Sequence, residues 1–306
     1  MSKEIPRTER KYTFRYSIRC NMCHSTGYKI LGKRLNQSQG KNPRNKIGIT
    51  TTVLKCKNCG LVFSNPLPVP NDLQDHYGIP PENYWKDEYF NTNDSYFKQE
   101  LETLKSLYPF QSGDRALDIG AGLGKCMIAL SKSGFDVYGI EPSRPFYDLA
   151  IQKMGISPER LTLSSIEGAN YPDNFFDFIT FGAVLEHLYD PALSIEKSLK
   201  WLKRGGIIQI EVPSSDWLIN KLANTFYRIQ GLDYVSNISP MHNPFHLYEF
   251  NLKSFEENAR LTGYEVIHFD FYVAQTYLPK ILDLFFVPFM EWTKKGMQLC
   301  VWLRKK

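Results

Sequence analysis

The chain reads as an α/β protein, a parallel sheet covered by helices, with a small metal-binding module ahead of it. Three observations predict this. The stretch Ala116-Leu117-Asp118-Ile119-Gly120-Ala121-Gly122-Leu123-Gly124 starts as an apolar run suited to a buried parallel strand, then breaks into glycines at every second position. An amphipathic helix follows over 127–132, and a second strand over 135–140 ends in Glu141. Four cysteines stand in two C-x-x-C pairs, Cys20 with Cys23 and Cys56 with Cys59.

At 306 residues the chain exceeds one ordinary domain, so one large and one small domain are expected. Hydrophobic content of 42% with 14% aromatics is that of a globular protein. A net charge of +5 permits an acidic substrate or RNA without calling for either. The first residues are charged and lack an apolar stretch, so no secretory signal is expected, and no run reaches the ~18 apolar residues of a membrane span. Six cysteines, four of them paired as C-x-x-C, suit a reducing cytoplasm and metal binding rather than disulfides.

Taken in order, residues 1–15 are polar and read as a flexible arm, and 16–70 as the small module. Each C-x-x-C can fold into a knuckle that presents two thiolates to one ion, so Cys20, Cys23, Cys56 and Cys59 make the tetrahedral set of structural zinc. The competing reading is a redox dithiol, but such motifs do not come as two matched pairs. The 32 residues between Cys23 and Cys56 exceed the usual ribbon spacing because a polar insert, 33–46, separates two strands. Residues 61–68 form the last strand of the module, and 71–94 a linker. Tyr77, Tyr84, Trp85, Tyr89 and Phe90 enrich this linker in aromatics, expected to pack on the next domain or to wall an acceptor site.

The large domain spans 95–306. Ser95 can cap a helix to 108 with Phe97, Leu101, Leu104 and Leu107 on one face. The glycines that follow the first strand let the chain turn sharply and a ligand approach its backbone, with the free N–H groups of the next helix facing that ligand. Glu141, about 20 residues on, sits where an acid accepts hydrogen bonds from ribose hydroxyls. A helix to 154 and a short strand at 161–164 come next, then a strand over 176–181. Asp190-Pro191 reads as an N-cap with Pro at the first helical position, opening a helix to 203 that Gly205-Gly206 stop. A strand over 207–212 leads into an insert, 214–250, rich in Trp, Tyr, Asn and His and too long for a plain connection. A helix over 252–262 and strands over 264–272 and 296–304 complete the sheet. Between those strands, 278–292 is apolar and expected to pack in the core or against a second copy rather than on a membrane. Cys126 and Cys300 read as core residues.

These blocks together resemble the class I S-adenosylmethionine (SAM)-dependent methyltransferases. Asp118 leading into Gly120, Gly122 and Gly124 matches the family's acidic residue and G-x-G-x-G, whereas dehydrogenases space their glycines as G-x-G-x-x-G. Pro172-Asp173-Asn174-Phe175-Phe176-Asp177, Val184-Leu185-Glu186-His187-Leu188 and Leu202-Lys203-Arg204-Gly205-Gly206 are similar to its later signatures. A four-cysteine zinc ribbon ahead of such a domain resembles methyltransferases of nucleotide-linked deoxysugars and relatives from polysaccharide and natural-product clusters. The resemblance implies a Rossmann-like sheet of seven strands, SAM as cofactor, structural zinc, and a sugar or related small metabolite as acceptor. It implies that Asp118 and the glycine loop hold the methionine end, that Glu141 holds the ribose, and that Ile140 and Ile166 flank adenine. Ser165 falls where the family often has an aspartate on the adenine amino group.

Methyl transfer from a sulfonium is an in-line displacement that needs a positioned nucleophile and, for many acceptors, a base. His187, His242 and His246 are the candidate bases. His246 matches the histidine of a Glu-His pair in the deoxysugar C-methyltransferases, but Phe245 replaces the glutamate, which places oxygen ahead of carbon as the acceptor atom. Two other function classes compete. An RNA methyltransferase is disfavoured because only Lys33, Arg34, Lys41, Arg44 and Lys46 cluster, with little aromatic interleaving. A non-catalytic binding protein is disfavoured by the intact glycine loop and Glu141. The expected partners are therefore a small-molecule acceptor, no nucleic acid, and a second copy of the chain in a homodimer.

Overall fold

A computed structural model describes residues 12–35, 50–70, 87–93, 95–241, 244–273 and 276–306. His242, Tyr77, Tyr84, Trp85 and most of the polar insert lie outside the described residues. The N-terminal part contains strands β1 (Tyr12–Arg15), β2 (Tyr28–Leu35), β3 (Thr50–Cys56), β4 (Val62–Ser64) and β5 (Leu67–Pro70). Helix α1 (Lys98–Leu107) opens the remainder, followed by β6 (Arg115–Ile119), α2 (Lys125–Lys132), β7 (Asp136–Glu141), α3 (Arg144–Gln152) and β8 (Leu161–Leu163). Then come β9 (Phe176–Gly182), α4 (Pro191–Trp201), β10 (Leu202–Pro213) and α5 (Leu218–Ile229). The chain closes with β11 (Tyr248–Glu249), α6 (Leu252–Ala259), β12 (Tyr264–Tyr272), α7 (Lys280–Thr293) and β13 (Gln298–Lys305).

The central sheet has seven strands in the order β12-β13-β10-β9-β6-β7-β8. β6, β7, β8, β9 and β10 pair in parallel, and β13 runs antiparallel to both β10 and β12. This is the α/β fold of the class I methyltransferases. Its central strands are buried on both faces, which is why they read as continuous apolar runs. The order reverses between β6 and β9, so the carboxyl ends of β6, β7 and β9 open a crevice there.

Several element bounds differ from those expected. The helix that starts at Asp190 has the expected cap, whose side chain accepts from the Leu193 N–H, but it ends at Trp201 rather than at 203. Leu202 already pairs with Phe176, and the ladder shifts before it resumes at Ile207. Gly205, at φ +77°, shapes that irregularity, and a Cβ on Gly206 would stand 2.9 Å from the Asp177 carbonyl oxygen.

The N-terminal strands do not stand apart. The last four residues of the expected arm form β1, which pairs antiparallel with β5. β2, β3 and β4 form a second sheet whose fourth strand, β11, comes from the 214–250 insert, with Tyr248 opposite Phe63. Cys20, Met22, Cys59 and Leu61 share one apolar core with Phe250 and Phe255 of the large domain.

The apolar segment 278–292 is helix α7, and core packing accounts for only one of its residues, since Met290 alone is buried. Ile281, Leu284, Phe285, Phe289 and Trp292 form an exposed stripe, with Trp292 81% accessible. The helix joins two strands at the edge of the sheet, so one face meets the protein and the rest faces outward. No helix among the described residues is long and apolar enough to cross a membrane.

Candidate functional site

The glycine loop leaves β6 at the point where the sheet order reverses. Gly120, Gly122 and Gly124 all have positive φ, at 71°, 54° and 78°. Two of them also need the missing side chain: a Cβ on Gly120 would fall 2.5 Å from Val184 Cγ2, and one on Gly124 would fall 2.6 Å from Ile156 Cγ1. Glu141 ends the neighbouring strand and ties that loop to it. Its Oε2 accepts the Gly122 N–H at 2.7 Å and its Oε1 accepts the Ser143 N–H at 2.7 Å. Burial pushes the Glu141 carboxyl up to about 7, against the pull of those two N–H groups. Asp118 lies beneath the loop, buried, with Oδ2 unpaired among the described residues. Burial and then the nearby Glu141 raise it to about 7.

A cavity of about 690 Å³ starts at this loop. Gly120, Gly122, Ile140, Glu141, Ser165 and Ile166 line one end. Gly182, Ala183, Val184, His187, Tyr189, Leu193, Pro244 and Phe245 line the other, with Arg15 also contributing. Ala183 and Phe245 hold φ of 55° and 64°, strained for residues with a side chain, and both face this space.

Two of the three candidate histidines meet beside the cavity. His187 follows β9 on a short turn, and His246 comes from the insert; their ring centres are 5.1 Å apart in an edge-to-face arrangement. His187 Nδ1 bonds the Phe245 carbonyl oxygen at 3.3 Å. His187 Nε2 is 3.9 Å and His246 Nε2 3.8 Å from Glu186 Oε1. His187 lines the cavity, and His246 packs against His187. Main-chain bonds hold the insert here, since the Leu247 N–H donates to the Glu186 carbonyl at 2.8 Å and the Ser239 N–H to that of His246 at 2.8 Å. Burial lowers His187 to about 4 and His246 to about 3, the latter with help from His187, and raises Glu186 to about 8.

A methyltransferase-domain family matches residues 92–269, more than half of the chain and all of the glycine loop, Glu141 and the Glu186-His187 turn. The chain belongs to this methyltransferase family. An uncharacterized protein of Methanocaldococcus jannaschii is 31% identical over 136 residues, 44% of this chain and 61% of that protein. A ubiquinone biosynthesis O-methyltransferase of Coxiella burnetii is 31% identical over 150 residues, 47% of this chain and 57% of that protein. The methyltransferase thus spans about three fifths of these relatives' own length. The crystal structure of an S-adenosylmethionine dependent methyltransferase from Mesorhizobium loti superposes with a TM-score of 0.47 at 15% identity, over 67% of this chain and 97% of that one.

The methyltransferase carries a second cluster at its N-terminal sheet. The Sγ atoms of Cys20, Cys23, Cys56 and Cys59 lie within 4.8 Å of one another. Cys20 and Cys59 are 3.5 Å apart, and Cys23 and Cys56 3.6 Å. Four thiolates around a zinc ion at about 2.3 Å would stand about 3.8 Å apart, so the set fits that ion. The knuckles are fastened to the large domain. The Asn258 amide donates to the Met22 carbonyl at 3.0 Å, the Ser254 hydroxyl to the Cys59 carbonyl at 3.2 Å, and the Asn21 amide to Asp190 at 2.9 Å.

Sequence reasoning missed Arg15, because an arginine ending a polar arm carries no local signal. Glu186 stands out in the sequence only as a carboxylate next to a candidate histidine, and its burial between two imidazoles depends on the fold.

Proposed function

We propose that this methyltransferase moves the methyl group of SAM to an oxygen of a small acceptor, a hydroxylated sugar or a related metabolite. The supporting observation is a single cavity that runs from the glycine loop and Glu141 to the Glu186-His187-His246 cluster. The loop backbone and Asp118 hold the methionine end, Glu141 the ribose, and Ile140, Ser165 and Ile166 the adenine. The acceptor lies toward Tyr189, Leu193 and Phe245. In the transfer its oxygen bonds the methyl carbon while the C–S bond breaks, leaving S-adenosylhomocysteine, and the hydroxyl proton departs through the cluster. The O-methyltransferase relatives favour oxygen, and Phe245 offers a carbonyl to His187 where the sugar C-methyltransferases have a glutamate. Zinc at the four cysteines is structural, because its ligands are remote from the loop in sequence and complete without substrate.

Calorimetry with S-adenosylhomocysteine tests the cofactor placement. Glu141→Ala removes charge-assisted bonds to the ribose and is expected to weaken binding about ten- to a hundred-fold. Unchanged affinity would sink the assignment.

The same titration has a pH signature. The carboxylate form of Glu141 accepts the ribose hydroxyls, yet in the free protein this group stays protonated up to about 7. Binding below that pH must release a proton, so affinity is expected to rise as pH climbs from 5.5 to 7 and to level off above. Asp118, also near 7, acts in the same direction. Affinity that is flat across this range would contradict the role of both acids.

A further inference from the structure

We propose that Glu186, His187 and His246 bind a divalent transition-metal cation at the acceptor end of the cavity. This rests on the reading above and deepens it by naming how the acceptor hydroxyl is activated.

The three side chains offer ligand atoms that all lie within 4.8 Å of one another. Glu186 is only 1% exposed, and apart from its own backbone N–H neither of its carboxylate oxygens has a hydrogen-bond partner among the described residues. A buried carboxylate without a donor is costly, and such groups are normally paired or ligate a metal. Two imidazole Nε2 atoms face it at 3.8 and 3.9 Å, beyond hydrogen-bond reach.

The tautomer of His187 sharpens the point. A carbonyl oxygen can only accept, so the bond to Phe245 puts the proton on Nδ1 and leaves a lone pair on Nε2, toward Glu186. A histidine whose other nitrogen donates to a backbone carbonyl is oriented as metal ligands are. The Glu186 carboxyl and the two imidazole Nε2 atoms therefore converge on a common point. A proton shared by Glu186 would need contacts near 3 Å. A cation at about 2.1 Å from each ligand needs ligand separations of about 3.0–3.4 Å, which small side-chain shifts supply.

Two imidazoles and one carboxylate suit zinc, manganese, iron or cobalt rather than magnesium or calcium. Three protein ligands leave coordination positions open, and His187 places them on the cavity. An acceptor hydroxyl bound there would lose its proton to solvent near neutral pH. Its oxygen would then bond the methyl carbon, and the electron pair of the broken C–S bond would stay on sulfur.

The experiment uses the full chain as purified, with its cysteine site left as isolated. Mn²⁺ serves as probe, since this hard cation does not compete for four thiolates. Calorimetry and the loss of the free-ion EPR signal should show one Mn²⁺ per chain at micromolar concentration. Glu186→Gln and His246→Ala should each weaken uptake by about a hundred-fold or more, and both should still bind S-adenosylhomocysteine, which shows that they fold. No saturable uptake by a wild-type protein that binds S-adenosylhomocysteine would overturn the cation site alone. Uptake unchanged in both variants would overturn it too. A wild-type protein that fails to bind S-adenosylhomocysteine would instead overturn the methyltransferase reading.

Discussion

With zinc at the four cysteines as proposed, replacing Cys56 with serine is expected to release the ion and to unfold more than the N-terminal sheet. A small domain that stood apart would melt by itself while SAM binding persisted. The packing argues otherwise. Cys20, Met22 and Cys59 lie in the same apolar core as Phe250 and Phe255, and α6 holds both knuckles through Ser254 and Asn258. Structural zinc contributes on the order of 10–16 kcal/mol in isolated peptides, as much as the whole stability of a typical domain. Its loss should therefore remove hydrogen-exchange protection from 20–35 and 50–64 and also from 248–259. The glycine loop sits against a second core, formed by Ala121, Cys126, Met127 and their neighbours, and should keep much of its protection. Asn21 anchors Asp190, which lines the cavity, so the acceptor end is expected to open while cofactor affinity falls less than tenfold. A Cys56→Ser protein that lacks zinc yet melts like the wild type would refute this coupling.

What could be read from the sequence was whatever has a local cause. The strand, glycine turn and helix around Gly120 are dictated by steric freedom and periodicity over a dozen residues, and they fold as expected. Asp190-Pro191 is likewise a self-contained signal, and its cap bond is present. The misses share a different cause. β11 is two residues long and pairs with β4 across more than 180 positions, so no periodicity marks it. Helix α4 ends early because Leu202 is claimed by a ladder with Phe176, a tertiary partner outranking the two glycines. The stripe on α7 has the apolar pattern of a core helix, and pattern alone does not say which way a stripe faces. The site shows the same division. The distance of Glu141 from the glycines is enough to place it beside the loop, where it accepts the Gly122 N–H, whereas nothing local links His187 to His246. Their meeting over Glu186 depends on the fold of the insert.

Glu186→Gln and His246→Ala are expected to lower methyl transfer by ~10²–10⁴ while cofactor affinity barely changes. Glutamine keeps the shape of Glu186 and removes its charge, so a loss of rate cannot be assigned to a packing defect. The insert should stay in place in the histidine variant, because Ser239 and Leu247 hold it through the main chain rather than through the imidazole. The measurement is the release of S-adenosylhomocysteine with a panel of nucleotide-linked sugars and hydroxylated metabolites, followed by turnover on whichever acceptor the wild type uses. His246→Gln separates the two roles open to this side chain. An amide can replace a hydrogen bond but neither takes up the acceptor's proton nor replaces imidazole as a ligand, so this variant should stay as slow as the alanine one. Near-normal turnover in His246→Gln would mean that the histidine only positions the insert. Normal turnover in Glu186→Gln as well would remove the whole cluster from the reaction and leave deprotonation to the acceptor itself.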